Sequence, residues 1–170
     1  MNNETMQLLE KLGVKFDLTL EPGQLPRPAV FPDKPFSGSL PDLRGIPVRP
    51  YRPQTDLFTR RDPSGAGIWI IPLSAGPLNS GAGEGQAEYQ TLNFGCEPVT
   101  FFHIARYILT RFDRPYLTLV MRSDVGVHPR LLRNMQINLS NIINHPMAPR
   151  FVFCTPPEAM KVLQMESDGA

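Results

Sequence analysis

Arg122, Ser123 and Asp124 follow directly on the apolar run Pro115–Met121. In parallel α/β folds, chemistry collects where strands end at their carboxyl edge. A guanidinium at such an end binds a carboxylate or phosphate in a planar fork, and an adjacent aspartate orients it. These three are candidate substrate-binding residues; the competing reading is a local salt bridge and a turn toward Gly126. Tyr51, within Arg49-Pro50-Tyr51-Arg52-Pro53, is the fourth candidate. Its ring either stacks on a sugar or anchors a packed loop.

Other polar groups carry less. Asp124 and His128 lie four apart, a metal-site spacing that needs a shaped support and a third ligand. Gly126 between them favours a turn, with His128 leading into a helix. His103 sits beside an apolar helix face, and His145 precedes Pro146 where an imidazolium suits a helix C-terminus, so both read as structural. Gly81-Ala82-Gly83-Glu84-Gly85 lacks the lysine and the strand-to-helix setting of a phosphate-binding loop. Arg49, Arg52, Arg60 and Arg61 are interleaved with Asp42, Asp56 and Asp62. The whole 170-residue chain carries a net charge of only +1. No nucleic-acid partner is expected from that balance. The two cysteines, Cys96 and Cys154, cannot build a disulfide framework or a four-cysteine zinc site. Cys154, inside Phe151-Val152-Phe153-Cys154, is expected to be a buried free thiol. No apolar stretch nears the ~20 residues of a membrane span. Met1–Met6 has no basic or apolar leader segment, so no signal peptide is expected and a cytoplasmic location is the default.

The elements that would position these residues follow from patterning. A helix capped by Asn2 or Asn3 runs to Leu12, with Leu8, Leu9 and Leu12 on one side and Gly13 ending it. Lys15–Leu20 is a strand closed by Glu21-Pro22-Gly23. Residues 21–67 form a long loop holding ten of the chain's 19 prolines, a usage about twice the average. Its aromatics Phe31, Phe36, Tyr51 and Phe58 favour an ordered, packed loop over disorder. Ile68–Leu73 is continuously apolar, as in a strand buried on both faces, and a Gly-rich loop spans 74–97. A helix opens at Pro98 with Phe101, Ile104, Ala105, Ile108 and Phe112 on one face. Pro115–Met121 reads as a strand. Pro129 starts a longer helix striped by Leu132, Met135, Leu139, Ile142 and Ile143. Arg150–Cys154 reads as the last strand, and Thr155-Pro156-Pro157-Glu158 as a capping box before a helix to about Leu163. Residues 164–170 are a polar tail. The chain is therefore expected to be one α/β domain over 1–163, with mostly parallel strands and intervening helices.

The order of these segments resembles the C-terminal half of polysaccharide deacetylase-like proteins of the NodB-homology family. The residues that carry it are Asn2–Val14 and Phe16–Gly23, then Pro41-Asp42-Leu43-Arg44-Gly45, Arg49–Pro53 and Ile70–Ser74, and finally Pro115–Ser123 and Phe151–Ala159. The resemblance implies the later part of a distorted (β/α)7 barrel with a polysaccharide or oligosaccharide bound at its carboxyl face. It further implies, for a full-length member only, a divalent metal such as zinc held by an aspartate pair and two histidines from the first half. This sequence has no Asp-Asp pair and no His-Ser/Thr-x-x-His-Pro segment, so no cofactor is expected in the chain itself. A late histidine of the family aligns with Arg122, which stays cationic and cannot act as a tunable acid or base. The functional expectation is a segment that shapes a substrate cleft without catalysing alone. The alternative is a non-catalytic carbohydrate-binding or protein-assembly module. Expected partners are a glycan and either the missing N-terminal half or a second copy.

Overall fold

A run of six residues, Ile68–Leu73, supplies the apolar spine. All but half-buried Leu73 are buried, Ile70 completely. The computed structural model describes residues 3–28, 39–65, 67–78, 88–113, 115–121 and 127–167. Within them the order is α1 (Asn3–Lys11), β1 (Phe16–Asp17), β2 (Trp69–Ile70), β3 (Ala75–Pro77), β4 (Tyr89–Thr91), α2 (Pro98–Arg111), α3 (Pro129–Ile143), a short 3-10 turn (Ala148–Arg150) and α4 (Pro156–Ser167). Mixed helices and small sheets agree with an α/β class. No barrel closes among the described residues, where the ladders are two two-stranded sheets.

α1 ends as its sequence dictates. Gly13 takes φ +76°. Its N–H donates to the Glu10 carbonyl and the Val14 N–H to that of Leu9, the paired bonds that close a helix on a left-handed glycine. The buried residue of α1 is Met6, whereas Leu8 and Leu12 face solvent. Asn3 serves the neighbouring loop, accepting the Phe58 N–H at 2.9 Å.

β1 and β2 pair in parallel, Phe16 with Trp69 and Asp17 with Ile70. The pairing continues as the Leu73 N–H donates to the Leu20 carbonyl. The described residues of the crossover between them belong to the Pro-rich loop and include no helix. That loop is ordered along its described stretches, because its backbone finds partners. Tyr51 exchanges both backbone hydrogen bonds with Ile70, on the far edge of β2. Leu43, Ile46, Tyr51 and Phe58 join Met6, Leu20, Ile68 and Ile70 in one buried apolar cluster. Phe31 and Phe36 lie outside the described residues.

A second cluster forms around α2. Phe101, Ile104, Ala105 and Ile108, the expected face, pack with Leu92 and Cys96, and the half-buried Phe112 flanks them. Parallel pairing of Asn93 with Val120 spans α2, the single helical crossover among the described residues.

Several expectations are corrected. The Gly-rich stretch carries an antiparallel pair, β3 with β4, so the sheets are mixed and not mostly parallel. Pro115–Met121 makes a ladder contact only at Val120. Pro115 has no N–H, and the Thr118 N–H goes to Ser74 Oγ at 2.8 Å, leaving little backbone for a neighbouring strand. Residues 151–154 form no strand. They stand between the 3-10 turn and Pro156, with Val152 81 % and Phe153 66 % exposed, and the Cys154 thiol is exposed rather than buried. On α3 the buried residues are Asn134 and Asn138, while Leu139 and Ile143 of the expected stripe are exposed. α4 runs to Ser167, past the expected end. Glu158 accepts from both the Thr155 N–H (2.7 Å) and its hydroxyl (2.8 Å), as a capping glutamate does. The Thr155 N–H bond first, then the hydroxyl bond, holds the Glu158 carboxyl below its ordinary value.

Candidate functional site

The spine ends at Leu73-Ser74-Ala75, and a cleft of about 320 Å³ opens there. Four segments build it. The Pro-rich loop contributes Arg44 and Arg49, the last two turns of α2 contribute Tyr107 and Arg111, and β4 and the 115–121 segment contribute Tyr89 and Tyr116. Among the described residues the lining holds three guanidinium groups and no carboxylate.

Each wall is braced by the backbone behind it. The Tyr116 hydroxyl donates to the Pro72 carbonyl at 2.8 Å. The Thr118 hydroxyl reaches the same carbonyl at 3.0 Å and also contacts the Tyr116 hydroxyl. Burial pushes the Tyr116 phenol above its usual range, so it stays a donor at any working pH. Tyr89 lies over Gly23, whose φ is +80° and where a Cβ would sit 2.3 Å from the ring. The Pro22-Gly23 turn expected to close the first strand is thus also the seat of a cleft aromatic. Gln24 is buried and donates to the Tyr89 carbonyl at 3.1 Å. Opposite, the Thr91 hydroxyl donates to Glu21 at 2.5 Å.

The cations differ in their engagement. Arg44 is paired with Asp42 at 2.5 Å on an exposed edge. The Arg44 side chain and N–H hold the Asp42 carboxyl at about 2, so the pair stays ionised at working pH. Arg111 stands 5.4 Å over the Tyr107 ring, which restrains its stem. Arg49 is exposed at the rim and makes no ion pair among the described residues.

Of the residues singled out in the sequence, Arg122, Ser123 and Asp124 lie outside the described residues. Tyr51 is 1 % exposed, and its hydroxyl donates to the Phe58 carbonyl at 2.8 Å. Burial, then the Asp17 charge, pushes its phenol up. Its ring is therefore the loop anchor of the two readings, with no face open to a sugar. His128 caps α3 in extended backbone. His103 Nε2 lies 3.1 Å from the Pro77 carbonyl, and His145 Nδ1 accepts the Met147 N–H at 3.2 Å. Among the described residues no three His, Cys, Asp or Glu side chains gather as metal ligands. No described helix is long and apolar enough to cross a membrane. Of the cleft arginines, Arg49 was visible in sequence as part of a mixed-charge run; the convergence of Arg44 and Arg49 with α2 is tertiary and has no local sequence signal.

Compared with known proteins, the chain matches no family model, and neither the curated proteins nor the solved structures give a match.

Proposed function

We propose that this chain is the C-terminal portion of a polysaccharide deacetylase-like, glycan-active protein, and that it shapes the saccharide cleft without catalysing alone. One observation supports this above the rest: the cleft at the carboxyl end of the buried spine, walled by tyrosines and arginines. Flat aromatic faces with polar tips suit sugar rings, which present apolar C–H faces and hydroxyl rims. The expected order of segments along the chain points the same way. No acetate release is expected from the chain by itself, because the family's paired aspartates and histidine segment do not occur in its sequence.

Calorimetric titration of the chain with oligosaccharides tests the proposal. Binding that weakens at least tenfold in Tyr107→Ala is expected. Failure of neutral and acidic oligosaccharides alike to bind would overturn it. A protein-assembly module is the second reading, favoured by the exposed Val152 and Phe153. A monomer by analytical ultracentrifugation, with saccharide binding intact, decides against it.

A further inference from the structure

We propose that the outer face of α3, together with the segment that follows it, docks on the surface of an anionic lipid bilayer. The inference is independent of the glycan reading and concerns residues that do not line the cleft. α3 is folded with polar side chains inward. Asn134 and Asn138, one turn apart, are buried, and their amides donate to the carbonyls of residues 94–96. Leu139 and Ile143, also one turn apart, lie on the far side and are 41 % and 58 % exposed. Half-buried Leu132 stands one heptad before Leu139 and extends the same stripe. Beyond the helix, a 3-10 turn keeps the chain tight, and Met147, Val152 and Phe153 are exposed in their turn.

Cations border these apolar residues. From Val127 to Pro157 the sequence holds Arg130, Arg133 and Arg150 and neither aspartate nor glutamate, in a chain with 17 basic and 16 acidic residues overall. Arg130 is paired with Glu97 at 3.3 Å. Arg133 and Arg150 are exposed and make no ion pair among the described residues. Apolar side chains flanked by unpaired guanidinium groups complement an anionic lipid surface. The headgroups attract the arginines, and the leucine, isoleucine, valine and phenylalanine side chains enter the acyl boundary. A bilayer fits better than an acidic peptide. These side chains project outward from a helix back and an extended segment, whereas an amphipathic peptide needs a groove to lie in. At 15 residues, α3 is too short to cross the bilayer and lies along it.

The test sediments the full chain with vesicles of phosphatidylcholine alone and of equal parts phosphatidylcholine and phosphatidylserine. Binding to the anionic vesicles is expected to be about tenfold tighter or more, and to weaken as salt rises. Phe153→Ser, and separately Arg133→Gln combined with Arg150→Gln, are each expected to weaken it about fivefold or more. All three side chains are exposed, and circular dichroism checks that the fold is kept. Cys154 is the exposed one of the two thiols. An environment-sensitive fluorophore attached there is expected to shift to the blue with anionic vesicles only. Absence of binding to both vesicles would overturn the inference. So would binding that Phe153→Ser leaves unchanged, because that is adsorption by charge alone. A lipid-free dimer in analytical ultracentrifugation that Phe153→Ser dissociates would overturn it in favour of a second copy on this face.

Discussion

Two asparagines hold α3 where an apolar stripe was expected to. Asn138 is fully buried and donates to the Phe94 and Cys96 carbonyls at 3.0 and 2.9 Å, and Asn134 donates to the Gly95 carbonyl at 3.2 Å. Three consecutive carbonyls at the entry to α2 are thus satisfied by side chains of another helix. Removing a donor leaves buried carbonyls unpaired at about 1–3 kcal/mol each. Asn138→Ala is therefore expected to lower the unfolding free energy by about 2 kcal/mol or more in urea titration, with Leu139→Ala, on the exposed side, near neutral. Hydropathy periodicity could not reveal this, because it scores asparagine as surface. Tyr51 was legible as far as its two readings went. The choice between core anchor and sugar platform depends on Ile70 lying beside it, nineteen residues away in sequence.

At the scale of elements, the helices and the strands β1 and β2 were legible, and β3 and β4 were not. α2 shows its face because helix bonds are local and the 3.6-residue period survives in sequence. Strand-like runs at 115–121 and 151–154 look alike in sequence, but a ladder needs a partner with free backbone groups. Val120 meets Asn93, and 151–154 stays unpaired. The glycines divide by surroundings in the same way. Gly13 and Gly23 both have positive φ, yet a Cβ at Gly13 meets nothing within 4 Å while one at Gly23 strikes the Tyr89 ring. Gly13→Ala is expected to cost only the left-handed conformation, about 1–2 kcal/mol. Gly23→Ala is expected to cost more and also to displace Tyr89. A melting temperature depressed further by Gly23→Ala than by Gly13→Ala, with weakened saccharide binding only in the former, is the checking result.

Across the whole molecule, two buried tyrosines bear on stability at alkaline pH. Tyr51 and Tyr116 both have folded-state values raised above the ordinary 10.0, chiefly by burial. A raised folded value stabilises the protein fully below the unfolded value and loses that contribution as pH rises through the folded one. Stability is therefore expected to hold to about pH 10 and to fall beyond it, with two of the four tyrosines ionising late in an ultraviolet titration. The cleft lies on a seam of this molecule. The apolar cluster containing Tyr51 and Ile70 shares no residue with the cluster around Phe101 and Ile104. Arg44 and Arg49 reach the cleft from the first side, Tyr107 and Arg111 from the second. Calorimetric melting of the free chain is expected to show two overlapping transitions, one per cluster. A saccharide laid across the seam binds only when both sides are folded, so its binding energy becomes coupling energy between them. At a hundredfold excess over Kd it adds about 2.7 kcal/mol. The two transitions should then merge into one, making the ligand a further cross-link beside the Gln24–Tyr89 and Thr91–Glu21 bonds that already join the two sides.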